Sequence, residues 1–130
     1  MQPLKVFAIV SWLSLPTVMF GGYSLLKLRG MQRLTEDQLA MFRAGHAHAG
    51  VLLVLSLVYY RYLEMTGLAS HAIWVACSTL TVGILLQSGG FFWQAFVDKT
   101  GKKTGVHITA AGALLLAAAV LGLVYGLIAT

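Results

Sequence analysis

Four apolar stretches, each near or above the ~20 residues needed to cross a bilayer, take up nearly all of this 130-residue chain. They lie at about 5–28, 40–63, 69–96 and 106–129. A backbone held in hydrocarbon must satisfy its own hydrogen bonds, so these stretches are predicted to be helices. The expectation is an all-α, four-transmembrane-helix bundle, residues 1–130 forming a single integral membrane domain. Composition agrees: 58% of residues are hydrophobic and 10% are charged, against about 45–50% and about 25% in soluble domains. No length is left for a nucleotide-binding α/β unit or a soluble catalytic domain. The lone Cys77 falls within the third span and excludes an internal disulfide or a CxxC site.

Charge gives a direction across the membrane. Lys27, Arg29, Arg33, Arg43, Lys99, Lys102 and Lys103 fall on one side, and only Lys5 and Arg61 on the other. Basic residues favour the cytoplasm, so loops 29–36 and 98–103 are expected there and both termini outside, as in a bacterial-type inner or cell membrane. The net charge of +5 is therefore a topology signal, and a nucleic-acid partner is not expected. The first run is too long for a cleaved signal and lacks a small-residue cleavage site, so it is expected to remain as a span. Pro16 lies inside it, where a missing hydrogen bond favours a kink. Thr35-Glu36-Asp37-Gln38 reads as a capping box, with acidic residues in the positive first turn of the second helix. Tyr59, Tyr60 and Tyr62 are expected at the outer interface and Trp93 at the inner one. Gly21-Gly22-Tyr23 and Gly89-Gly90-Phe91 occupy similar places in spans one and three. Each is followed by a basic loop and a histidine-bearing small-residue helix start, which suggests a parallel duplication of a helical hairpin.

The chemistry concentrates in Phe42–Gly50, FRAGHAHAG. Imidazoles inside an apolar span are costly in lipid, which makes a function the default hypothesis. Between Ala44 and Gly50 every other residue is Ala or Gly. The surface is flat enough for another helix, or a large planar ligand, to approach the backbone. Arg43 stands one turn nearer the basic side, in place for a carboxylate such as a porphyrin propionate. Positions two apart on a helix diverge by about 200°, so His46 and His48 cannot chelate one small ion from one face. Neither face carries a carboxylate within the membrane, which argues against a di-iron site. The alternative is a plain helix–helix contact with the histidines hydrogen-bonded across it.

Other candidates are sparser. His107 opens span four level with His46 and His48, as a second ligand, a proton carrier or simply an interfacial histidine; His71 lies at the opposite end. Gln87 is the most deeply placed amide, on a face with Gly83, Gly90 and Gln94, for substrate contact or for helix pairing. Ala118, Gly122 and Gly126 form a small-residue face suited to helix packing. No nucleophile–base pair or phosphate loop is present.

Ala47-His48-Ala49-Gly50 resembles the Ala-His-Ser-Gly segment of the styrene oxide isomerases, and Gly90-Phe91-Phe92 resembles their Gly-Phe-Tyr segment. The hydroxylaminobenzene mutases are similar four-span proteins. The resemblance implies a homotrimer with one haem b per subunit near the subunit contact and His48 on the iron. It implies an isomerase in which ferric haem, as a Lewis acid, draws on an epoxide oxygen and a 1,2-hydride shift gives an aldehyde. The substrate is then a small apolar molecule from the bilayer. Phe92 stands where the family has tyrosine, and Val54 where it has asparagine. Two alternatives stay open: a b-type cytochrome or accessory electron-transfer subunit, with His48 and His107 as paired ligands, and a non-catalytic membrane interaction protein. Proton-driven export would call for a membrane-embedded carboxylate, which spans one, three and four lack.

Overall fold

The computed structural model describes residues 2–31, 33–98 and 102–129. It contains four helices, α1 (Pro3–Gly30), α2 (Glu36–Leu63), α3 (Ser70–Phe96) and α4 (Thr104–Ile128), and no strand among the described residues. Each is long and apolar enough to cross a membrane. At 1.5 Å per residue they run about 38–42 Å, longer than a ~30 Å hydrocarbon layer. Their ends therefore project into the headgroups, or the helices tilt. Lys99, in the second basic loop, lies outside the described residues.

Local signals account for the helix boundaries. Pro3 opens α1, where its missing N–H has no helical partner to lose. The helix then runs through Pro16 without a break. The capping box of α2 forms as its sequence requires: Gln38 N donates to Thr35 Oγ1 at 3.2 Å, and Thr35 N donates to Gln38 Oε1 at 3.0 Å. Gln38 also spends its amide N–H on the Ala95 carbonyl at 3.0 Å, tying the start of α2 to the end of α3.

The packing order is open. α1 lies on α2, α2 on α3 and α3 on α4, while α1 and α4 do not meet. The tightest seam is α3–α4, and glycine makes it so. The buried residues of α4 are Gly105, Gly112, Ala119 and Gly126, a seven-residue repeat of small side chains. Such a repeat keeps one seam facing its partner along a left-handed pair. Gly83 and Gly90 of α3 share the same spacing and are buried too. A Cβ placed on Gly105 would come 2.6 Å from the Gly90 carbonyl oxygen, and one on Gly112 would come 2.7 Å from Gln87 Cα. The backbones are in contact. The sequence pointed instead to Ala118, Gly122 and Gly126; of the two glycines, Gly126 packs on Thr66 and Leu68, whereas Gly122 faces open space.

The core gathers at the end away from the basic loops, around Tyr59, Tyr60, Leu63, Cys77, Leu80, Ile84 and Ala119. Here the expected tyrosine belt is corrected. Tyr59 and Tyr60 are only 6% and 4% exposed, and Tyr62 alone of the three is on the surface. The Tyr59 hydroxyl donates to the Ala119 carbonyl at 3.0 Å, so this phenol finds inside the protein the partner that an interface would have supplied. α1 is held to α2 by a buried Ser11–Ser56 contact of 2.8 Å. Ser56 gives its hydrogen to the Leu53 carbonyl, which leaves Ser11 as the donor between the two.

Candidate functional site

Gly45 sets the geometry of the histidine segment. A Cβ there would lie 3.1 Å from Phe91 Cβ, Phe92 Cε2 and the Ser88 carbonyl oxygen, so α2 crosses α3 closely at this point. The next turn of α2 is thereby fixed in rotation, and the two imidazoles leave in opposite directions. The ring of His46 sits on the Gly21-Gly22 notch of α1, where a Cβ on Gly22 would come 3.1 Å from Nε2. The ring of His48 lies beside Phe91, centroids 4.9 Å apart and planes tilted by 36°. The divergence expected from helical spacing is present.

His48 has a defined tautomer. Its Nδ1 is 2.8 Å from the Ala44 carbonyl oxygen. A carbonyl has no hydrogen to give, so Nδ1 carries the proton, and in the neutral ring Nε2 presents its lone pair. Metal-ligating histidines are oriented in this way, the other ring nitrogen donating to a carbonyl or carboxylate. His46 makes no such bond among the described residues.

Between the histidines α2 presents an apolar outer face. Val51, Val54 and Leu55 are 60%, 53% and 53% exposed. Two shallow depressions mark it. One, of about 440 Å³, is bounded by His46, Ala47, Gly50, Val51, Val54 and Leu55. The other, of about 200 Å³, is bounded by Ala47, His48, Val51 and Leu52. Arg43 is exposed one turn before His46; its Nε donates to the Leu39 carbonyl at 3.2 Å, leaving the terminal nitrogens outward.

The remaining candidates do not converge on this face. His107 is exposed on α4, about 200° around from Gly105, the residue in contact with α3. Within one chain it faces away from the bundle, so pairing it with His48 would take a second copy. His71 is exposed at the far end. Gln87 presses its backbone against Gly112, and its amide makes no hydrogen bond among the described residues. No group of three or more His, Cys, Asp or Glu is poised to hold a metal among the described residues. A porphyrin iron brings four nitrogens of its own and needs only an axial donor.

A second feature lies on the other side of α2. An open groove of about 290 Å³ is lined by Ser14 and Thr17 of α1, Ala49 and Leu53 of α2, and Ser88 and Phe92 of α3. Phe92 is held by an edge-on contact with Phe42, centroids 5.2 Å apart. Ser88, which sequence reasoning passed over, is 6% exposed, and its Oγ is without a hydrogen-bond partner among the described residues. Its sequence signal was its place one helical turn before Phe92, beside Gly89.

No family model, curated protein or solved structure matches the chain.

Proposed function

We propose that this protein binds haem b in the membrane through His48 and is an isomerase or mutase acting on a small apolar substrate drawn from the bilayer. The observation that carries the reading is the His48 Nδ1–H···O=C Ala44 bond, which leaves Nε2 as a lone-pair donor beside a shallow apolar depression bounded by Ala47, Val51 and Leu52. The donor set fits the group. His48 would hold the iron, Ala47 would let a flat macrocycle near the backbone, and Arg43 would meet a propionate. When bound, ferric haem supplies a Lewis acid that polarises an oxygen without net electron transfer.

The chain's own contribution is to place and dry the site. Phe91 beside His48 limits the swing of the imidazole, and the Ala44 carbonyl holds its tautomer. Val51, Val54 and Leu55 make the surroundings apolar, so a bound oxygen would see little competing water. The exposed α2 face suits a contact between copies, and the resemblance to the styrene oxide isomerases implies that such an assembly would be a homotrimer. The basic-residue imbalance supports a topology with the loops after α1 and α3 in the cytoplasm and both termini outside.

The spin state tests the activity class. Protein purified from haem-supplied cells is expected to hold a high-spin ferric haem with an open position that takes added azide. A low-spin, six-coordinate haem that refuses azide and cycles between redox states would replace this reading with electron transfer.

A further inference from the structure

At one end of the bundle the positive charges have no partner in the protein. The helices outrun the hydrocarbon layer, so about three or four residues at each helix end stand among the headgroups. At the end that carries the loops after α1 and α3, that zone and the residues just beyond it hold, besides Arg43, the side chains of Lys27, Arg29, Arg33, Lys102 and Lys103, all exposed. Three carboxylates share this end, and none of them forms an ion pair among the described residues. The Asp98 carboxylate accepts the Gly105 N–H at 2.8 Å instead. Glu36 and Asp37 stand in the first turn of α2, where the helix dipole favours a negative charge. The opposite end is balanced differently. There Arg61 is matched by Glu64, and Lys5 is the one Lys or Arg without an ion pair among the described residues.

The surroundings of these charges narrow what neutralises them. Lys102 and Lys103 are consecutive at the α3–α4 hairpin, and Phe96, Val97 and Val106, on either side of them in the chain, are exposed too. A soluble anion or an acidic peptide would meet the lysines and leave these apolar side chains in water. A phospholipid sets its phosphate directly above hydrocarbon and meets both, and a lysine stem reaches up to it from the apolar edge. Cations at this depth favour headgroups of net negative charge, by about fivefold for each Lys or Arg. Lys27 and Arg29, by contrast, leave α1 about 200° apart and would meet separate lipids.

We propose that Lys102 and Lys103, at the end of the α3–α4 hairpin, form a binding site for an anionic phospholipid of the leaflet they face. This binding needs only the four spans and their charges, and it stands without the haem.

Two tryptophans of one helix are matched reporters for the test. Trp93 lies about one turn from the end of α3, on the basic side, and Trp74 about one turn from its start; they are 42% and 40% exposed. Asp98 N donates to the Trp93 carbonyl at 3.0 Å while its carboxylate holds Gly105, so Trp93 belongs to the same hairpin end as the two lysines. The full chain, with Trp12→Phe and either Trp74→Phe or Trp93→Phe, is reconstituted in bilayers of phosphatidylcholine and phosphatidylglycerol, with one or the other lipid brominated on its chains. Both leaflets have one composition, so the orientation of the chain does not affect the result. At low salt, quenching of Trp93 is expected to report phosphatidylglycerol binding roughly three- to tenfold tighter than phosphatidylcholine, against about twofold or less at Trp74. Lys102→Gln/Lys103→Gln is expected to bring Trp93 down to the Trp74 value, as is high salt, whereas Lys102→Arg/Lys103→Arg keeps the preference. An equal preference at the two tryptophans would overturn the proposal. So would a preference at Trp93 that survives the glutamine pair or high salt, or one that is lost in the arginine pair.

Discussion

At the level of single side chains, what matters is which hydrogen bonds are made and which are left open. His48 is oriented by the Ala44 carbonyl, whereas Ser88 is oriented by nothing in the chain. The Ser11–Ser56 pair is the reference case for a buried polar contact between these helices. Ser56→Ala strands the Ser11 hydrogen and is expected to cost about 1 kcal/mol, while the double variant Ser11→Ala/Ser56→Ala costs less than the sum of the singles. Interhelical bonds of this kind average only ~0.6 kcal/mol in membranes, so the coupling read from unfolding in mixed micelles should be small and favourable. Strict additivity would show that the two hydroxyls do not interact. The histidines were legible in the sequence because an imidazole in an apolar run stands out and helical spacing fixes their divergence. Ser88 was not, since serine is common in such helices. Its lack of a partner depends on how α1 and α2 close around it.

At the level of the helix, length and apolarity were enough to give all four spans, and the Thr35–Gln38 capping box was readable from four consecutive residues. The packing seam was not. α4 carries two overlapping rows of small residues, and both would serve as a helix contact. Only the partner helix decides, and it selected Gly105, Gly112, Ala119 and Gly126 over the row through Ala118 and Gly122. The two rows separate experimentally. Gly112→Ala pushes a methyl into the backbone of Gln87 and is expected to destabilise by about 1–3 kcal/mol, as overpacking does. Gly122→Ala meets open space and is expected to be neutral, or to stabilise by up to about 1 kcal/mol through helix propensity. Thermal unfolding of the two variants in detergent measures both. Equal losses would mean that Gly122 also lies in a close contact.

Across the whole molecule, the open helix order leaves the apolar α2 face beside the half-buried histidines exposed, while a second groove runs between α1, α2 and α3. Orientation belongs to this scale, and it was read from charge alone. A phosphatase reporter fused after Thr130 is expected to be active and a fluorescent reporter there dark; the reverse pattern would invert the topology. The haem reading is also tested at this scale, because the chain bonds His48 through Nδ1 and gives Nε2 no partner among the described residues. The direct measurement is an absorption spectrum, in both redox states, of protein purified from cells supplied with haem precursor, beside its His46→Ala, His48→Ala and His107→Ala variants. A Soret band is expected that survives in the His46 and His107 variants and collapses in His48→Ala. A colourless preparation, or a band that His48→Ala leaves untouched, would contradict the account.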